Sequence, residues 1–213
     1  LPASPPPQPS APPPPTPSPA CPNAGPLIEA ALQQSKVAME DFLLRSAESS
    51  GTGDAGMRSL REALACDPSH AKAWYRFGFL LRRQAHLRDA AARALELSIA
   101  LKPSAAGPAH AEMTLLALER LSYEAATDKE ESEYSKKARS HHSEAIRLNA
   151  QLTLHTLKAA YGEKVFNSFP DILAKAMEVR QVRKSEGMGR GKPGTRTPEE
   201  EAGLRDRFER GHD

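Results

Sequence analysis

The sequence predicts an all-α protein in which a helical middle lies between an N-terminal arm and a C-terminal tail. Aromatic residues make up only 5% of the 213 residues against 26% charged residues, a balance that favours helices over a β-sandwich or barrel core. Apolar residues of the middle recur at helical spacing, without strand-like alternation of useful length. Thirteen of the 19 prolines lie at or before Pro26, which sets the first segment apart.

Residues 1–25 are predicted to form a disordered, proline-rich arm. Runs such as Pro5–Pro7 and Pro12–Pro15 lack backbone N–H donors and have a fixed φ, so they favour polyproline II over helix or sheet. The arm contains none of the Arg, Lys or Tyr residues that orient ligands of SH3 and WW domains. We therefore expect a spacer rather than a specific ligand.

Proline, glycine and capping residues divide the chain after this arm into predicted helices. Asp, Ser and Asn cap helix N-termini, proline is favoured in a first turn, and the residue before a proline avoids the helical conformation. The delimiting features are Asn23, Pro26, Ser49–Gly53, Asp54, Asp67-Pro68, Ser69, Lys102-Pro103, Pro108, Thr127–Glu130, Ser168 and Pro170. The predicted helices cover about 27–47, 54–66, 71–84, 88–101, 108–126, 131–148, 151–161 and 171–183.

The two cysteines predict unpaired thiols rather than a disulfide framework. Cys21 lies in the proline-rich arm and Cys66 near the end of a predicted helix, and neither has a CxxC or Cys/His neighbour at zinc spacing. Unpaired thiols are typical of a reducing compartment, so we expect a cytoplasmic or nuclear protein. The apolar run Phe77–Leu81 is flanked by Arg76 and Arg82 and falls far short of the ~20 residues of a membrane helix.

A repeat signature lies in the third and fourth predicted helices. Trp74-x2-Phe77-Gly78 in the first of them is followed by Ala91 in the second and by Pro103 at its end. We expect Trp74 and Phe77 to pack this helix against its neighbour, and Gly78 and Ala91 to be small because the two helices cross there. Pro103 ends the second helix and sets the angle to the next unit.

The second helix of this unit recurs on both sides. The equivalent small residues Ala63, Ser98 and Ala145 are 35 and 47 residues apart, and a repeat of about 34 results when extra residues in turns and helix ends are set aside. Residues 26–148 therefore resemble the tetratricopeptide repeat (TPR) family. The resemblance implies a short α-solenoid of about three helical hairpins, capped by the helices after Gln151. An irregular helical bundle fits the same apolar pattern.

The resemblance also implies a non-enzymatic adaptor that binds a partner peptide or helix in a concave groove lined by the first helix of each unit. Residues not needed for internal packing would line the groove and suit a ligand with an acidic end and an apolar anchor. These residues are Lys72, Tyr75, Arg76, Phe79, Arg82, Arg83, Leu118 and Leu121. A simpler interpretation of Arg82 and Arg83 is a solvated helix end that the helix dipole favours.

Two alternatives to the adaptor are a chaperone-docking module and a structural subunit of a larger assembly. Lys72 and Arg76, spaced i, i+4, resemble half of the clamp with which TPR co-chaperones bind the C-terminal carboxylate of heat-shock chaperones. The other half of that clamp requires asparagines in the preceding helix, and residues 40–47 contain none. A structural subunit would bury its outer helix faces and both tails in the assembly.

No catalytic or cofactor-binding pattern is recognisable in the sequence. His141 and His142 are adjacent and so point to different faces of a helix, and His110 and His155 are isolated. The glycine-rich run Gly187–Pro193 lacks the first glycine and the Ser/Thr of a phosphate-binding loop. We therefore expect no enzyme activity, no bound metal and no cofactor.

These boundaries predict a repeat domain at 26–163, a C-terminal helix at 164–184 and a polar, disordered tail at 185–213. In the tail, Arg190–Pro193 is similar to the core of an AT-hook, which binds the DNA minor groove, but the acidic residues after Pro198 oppose phosphate binding. The net charge is only +2, from 29 basic and 27 acidic residues. A protein partner is therefore expected rather than a nucleic acid.

Overall fold

The computed structural model describes residues 21, 23–44, 51–161 and 168–185, and within these ranges every regular element is helical. The all-α class predicted from the sequence is confirmed. The predicted arm and tail, and the disorder expected of them, lie outside the described residues except at their inner ends. The helices are α1 (Ala24–Leu44), α2 (Gly51–Cys66), α3 (Ala71–Arg82), α4 (Arg88–Leu101), α5 (Gly107–Tyr123), α6 (Asp128–Tyr161) and α7 (Phe169–Ser185).

α3 starts at Ala71 as the sequence predicts, but its N-cap differs from the prediction by one residue. Ser69, the predicted cap, donates its hydroxyl to Asp67 Oδ1 at 2.5 Å. His70 caps the helix instead, because its Nδ1 accepts a hydrogen bond from Ala73 N at 3.1 Å. An imidazole nitrogen thus satisfies one of the N–H groups that a helix leaves without partners at its start.

α6 contains the break that the sequence predicts near residue 150. Asn149 has non-helical φ and ψ angles of −160° and 86°, and its Oδ1 accepts a hydrogen bond from Leu152 N at 3.0 Å. Asn149 therefore caps a new helical segment. Residues 128–148 are called the first arm of α6 below, and residues 150–161 its second arm.

The helices pack as antiparallel hairpins: α1 with α2, α3 with α4, and α5 with the first arm of α6. In the third hairpin, Gly107 at the start of α5 lies against Leu148 at the end of the first arm, and His110 meets His141 one turn farther along. The hairpins also contact one another, since α2 touches α3 and α4 touches α5. Contacts also join α1 to α3 and α3 to α5.

Gly78 marks the closest approach of α3 and α4. A Cβ atom at this position would lie 2.7 Å from Leu95 Cγ and 3.3 Å from Ala91 O, and Ala91 itself is fully buried. This is the crossing at which the sequence predicts small residues. Trp74 lies one turn earlier, and its Nε1 donates a hydrogen bond to Pro68 O at 2.8 Å, which joins α3 to the preceding turn.

The other repeat positions lie close to this crossing. The rings of Trp74 and Phe77 meet edge to face, with centres 6.3 Å apart, and pack against the apolar clusters that include Leu60 of α2 and Ala94 of α4. Pro103 follows α4 and opens the 3-10 turn that leads to α5. The aromatic pair therefore lies where three successive helices meet.

Cys21 and Cys66 form a disulfide, so the prediction of two unpaired thiols is wrong. Their Cα atoms lie 5.4 Å apart although 45 residues separate them in sequence. The antiparallel packing of α1 and α2 is the reason, because it brings the chain before α1 beside the last residue of α2. Disulfides are rare in the reducing cytosol, so the cysteines no longer support the expected cytoplasmic or nuclear location.

We expect Gly78→Ala to destabilise the fold by about 1–3 kcal/mol, because overpacking at the helix crossing outweighs the better helix propensity of alanine. Gly53→Ala is the matched control in α2. A Cβ atom built at residue 53 meets no neighbouring atom within 4 Å. This substitution should therefore leave stability unchanged or raise it by up to about 1 kcal/mol. Urea unfolding measures both variants, and equal effects would contradict a close crossing at Gly78.

Candidate functional site

α3 carries five of the eight residues that the sequence predicts in a binding groove, and its C-cap Arg83 is a sixth, so the surface of this helix is the candidate functional site. The helix lies in the middle of the described chain and contacts α1, α2, α4 and α5. These neighbours cover part of its surface and decide which side chains a partner could reach. Lys72 is exposed, Tyr75, Arg76 and Arg83 are half-buried, and Phe79 and Arg82 are buried.

A phenol and a guanidinium cover Phe79. The ring centres of Tyr75 and Phe79 lie 6.5 Å apart, and the guanidinium carbon of Arg83 lies 4.4 Å from the centre of the Phe79 ring. A cation at this distance is attracted by the electrons of the aromatic face. Burial, with a smaller contribution from Glu112, raises the pKa of Tyr75, so its hydroxyl stays a hydrogen-bond donor near neutral pH. Phe79 is therefore covered, whereas Arg83 and Tyr75 stay partly exposed, with Tyr75 also packed against the apolar cluster of α4 and α5.

Arg76 is held against α1. Its Nη1 donates hydrogen bonds to Leu32 O and, at 3.2 Å, to Ser35 Oγ. Burial at this contact lowers the pKa of the Arg76 guanidinium. The sequence predicts that Lys72 and Arg76 could grip one carboxylate together. In the structure Arg76 instead connects α3 to α1, the first helices of the second and the first hairpin.

Arg82 is buried in a cluster of charges between α3 and α5. Its side chain is only 2% exposed; Nε lies 2.7 Å from Glu112 Oε2, and Nη1 hydrogen-bonds Glu119. Burial opposes the charge, but the two carboxylates outweigh it and raise the pKa of the guanidinium. Both sequence-based interpretations of Arg82, as a groove residue and as a solvated helix end, are therefore wrong. The reason is that α5 covers the last turn of α3 and supplies the countercharges.

Further ion pairs extend this cluster to α4. Arg88 at the start of α4 lies 3.4 Å from Glu119 and 3.1 Å from Glu124. Arg120 lies 2.5 Å from Asp89 and 3.6 Å from Glu124. The ion cluster thus connects α3, α4 and α5. Removing one of its buried members would leave the partners without a countercharge, which is costly inside a protein.

Leu118 and Leu121 are fully buried in α5, so the prediction that they line a groove is wrong. Leu157 of the second arm of α6 and Ile172 of α7 belong to the same apolar cluster. These two elements cover the side of α5 that stacked hairpins alone would leave open. The sequence holds a signal for this arrangement, because small and apolar residues occupy most of the circumference of α5 and such a helix is typically buried on all sides.

The structure also brings together two histidines that the sequence presents as unrelated. His110 Nδ1 and His141 Nδ1 lie 2.9 Å apart, so one ring donates a hydrogen bond and the other accepts it. Burial, followed by His110 and Lys137, lowers the pKa of His141 to about 4, and burial also lowers the pKa of His110. His142 points away from this pair and stacks on Phe169, with ring centres 3.9 Å apart.

Comparisons with protein-family models, with curated proteins and with solved structures find no match for this chain. No helix in the described ranges combines the length and the apolar character of a membrane span. The same residues contain no group of three or more His, Cys, Asp or Glu side chains placed to hold a metal ion.

The candidate site therefore rests on geometry: Lys72, Tyr75 and Arg83 on the accessible side of α3, called the α3 face below.

We expect Arg82→Met to destabilise the fold by about 3–5 kcal/mol, because Glu112 and Glu119 lose their buried countercharge. The double variant Arg82→Met/Glu112→Gln should recover part of this loss, since it removes one of the two stranded carboxylates. Lys72→Met on the exposed side of α3 is the control and should change stability by less than about 0.5 kcal/mol. Urea unfolding measures all three. Equal losses from Arg82→Met and Lys72→Met would exclude a buried ion cluster.

The His110–His141 pair predicts a loss of stability in mild acid. Their pKa values lie below the ordinary 6.5 in the folded chain, so the unfolded chain takes up protons first as the pH falls. The contribution of His141 is complete above about pH 6.5 and is lost toward pH 4, by about 2–3 kcal/mol. His141→Gln should flatten the dependence of unfolding free energy on pH in this window, whereas His86→Gln at an exposed position should not. Parallel curves for both variants would refute the prediction.

Proposed function

We propose that the chain is a non-enzymatic adaptor whose three hairpins stack in the manner of TPR units and whose α3 face binds a segment of a partner protein. The packing order is the observation that supports this proposal. Neighbouring helices contact one another along the chain, and the first helices of successive hairpins, α1, α3 and α5, are also in contact. Hairpins stacked in this way share a continuous core and present their first helices on a common side.

The contacts within the middle hairpin support a TPR-like unit in particular. Gly78 leaves room for Leu95 of α4, and Trp74 and Phe77 pack where α2, α3 and α4 meet. The repeat pattern requires a residue without a side chain at the position of Gly78 and large aromatic side chains at the positions of Trp74 and Phe77. The hydrogen bond from Trp74 to Pro68 also fixes the turn between two units.

The α3 face has the chemistry of a peptide-binding surface. Lys72 is an exposed cation, Arg83 is a second cation stacked on an aromatic ring, and Tyr75 supplies the partly exposed edge of a ring. Such a surface suits a partner segment that combines carboxylates with an apolar anchor. Arg76 contributes indirectly, because its hydrogen bonds hold α1 beside the α3 face.

Docking of a chaperone C-terminus is not part of this proposal. It would require Lys72 and Arg76 to bind one carboxylate, whereas Arg76 donates to Leu32 O and Ser35 Oγ of α1. Substitution of Arg76 would also disturb the packing of α1 on α3. A test of the α3 face should therefore change Lys72 and Arg83 and leave Arg76 in place.

Reversal of charge on the α3 face should remove the partner. We expect affinity-tagged full-length protein to retain specific partners that Lys72→Glu/Arg83→Glu loses, because like charges would then oppose an acidic segment. Arg61→Glu/Lys102→Glu is the matched control, since it changes the net charge equally at two exposed positions outside α3. Quantitative mass spectrometry of the retained proteins is the measurement, with circular dichroism to verify the fold. The same partners on both variants would defeat the proposal.

A further inference from the structure

A cleft of about 760 Å³ lies between the first arm of α6 and α7, away from the α3 face. α7 packs mainly on α5, so it diverges from α6 and leaves this space between them. The α6 wall contains Ser132, Ser135, Lys136 and Arg139. Because these residues are spaced i, i+3, i+4 and i+7, they share one helix face. One wall of the cleft thus carries two hydroxyls and two cations.

α7 supplies the opposite wall and neutralises the acidic end of the cleft. Gln181 and Lys184, almost one turn apart, line this wall. The buried Arg180 lies 3.0 Å from Asp128 and also pairs with Glu131. Lys184 lies 3.5 Å from Asp128 as well. Both carboxylates of the lining are therefore already bound by cations of α7.

The remaining charge of the cleft is positive. Lys136 and Arg139 are exposed, and neither makes an ion pair with another residue of the described chain. A ligand with carboxylates would provide countercharges for both without displacing the pairs made by Arg180. The lining therefore selects for an anionic ligand.

Ser135 provides an independent indication of a ligand. Ser135 lines the cleft, the residue is only 5% exposed, and its buried Oγ finds no hydrogen-bond partner within the described ranges. Buried hydroxyls in native proteins nearly always have a partner, so this hydroxyl at the cleft wall calls for one that the described chain does not supply. A carboxylate could accept this hydrogen bond while it pairs with Lys136 or Arg139.

We propose that this cleft binds a short acidic peptide segment of a partner protein, at a site separate from the α3 face. The volume accommodates several side chains rather than one small anion. The charge is too small, and too closely accompanied by Asp128 and Glu131, for the basic surface that a nucleic-acid backbone requires. Consecutive Asp or Glu residues match both the two exposed cations of α6 and the hydroxyl and amide donors of the walls.

The test is titration of the full-length protein with a fluorescein-labelled peptide of six glutamates, followed by fluorescence anisotropy. We expect saturable binding that Lys136→Glu/Arg139→Glu weakens about tenfold or more. Arg61→Glu/Lys102→Glu carries the same change of net charge and should leave the affinity within about twofold. Equal weakening by both double variants, or equal binding of a six-glutamine peptide, would overturn the proposal.

Replacement of Ser135 separates a ligand contact from a structural role. Ser135→Ala should weaken peptide binding by about threefold or more, because it removes the hydroxyl that would donate a hydrogen bond to a peptide carboxylate. The melting temperature without peptide should stay the same or rise, since a buried hydroxyl without a partner is lost. Unchanged affinity together with a lower melting temperature would assign Ser135 to packing and contradict the contact.

A final variant tests whether the acidic residues of the same chain fill the cleft. Glu199→Gln/Glu200→Gln/Glu201→Gln removes the acidic run that follows Pro198. If the cleft serves a partner, this change should leave peptide affinity within about twofold. A rise of about tenfold would show that the chain's own acidic run competes for the cleft, and the proposal of a partner segment would fail.

Discussion

The buried charge of Arg82 constrains the rest of the structure. A guanidinium in the interior is tolerated only beside countercharges, so α5 must place Glu112 and Glu119 over the last turn of α3. Glu119 also pairs with Arg88, which fixes α4 relative to both helices. Apolar burial is non-directional and would allow these helices to slide, whereas charge-assisted hydrogen bonds define their register. The relative placement of the second and third hairpins is therefore defined by Arg82 together with the ion pairs of Arg88 and Arg120 between α4 and α5.

The same constraint limits the surface that a partner can reach. α5 is held over the end of α3, and the second arm of α6 together with α7 packs on its remaining sides. α5 therefore contributes core rather than groove, and the accessible part of α3 is reduced to the short α3 face. The proposed adaptor would bind brief segments at separate positions instead of a long peptide along one concave channel.

Several features encoded within a few residues were predictable from the sequence, although the cap of α3 was not, and features that depend on a distant helix were missed. The break at Asn149 and the crossing at Gly78 follow from a local capping side chain and a missing Cβ. The role of Arg82 depends on where α5 lies, which no spacing within α3 reports. The disulfide and the His110–His141 pair join residues 45 and 31 positions apart, and neither cysteine nor histidine shows its partner in the neighbouring sequence.

The disulfide changes how the first hairpin would respond to mechanical load. Tension applied through the chain before Cys21 passes across the covalent bond to Cys66, at the end of α2. Because α1 and α2 lie between the two cysteines, the load bypasses them and cannot peel one from the other. Extension under force would therefore be confined to the chain outside residues 21–66, whereas in a reduced chain the same pull would also load α1. One bond thus determines which part of the molecule acts as its mechanical anchor.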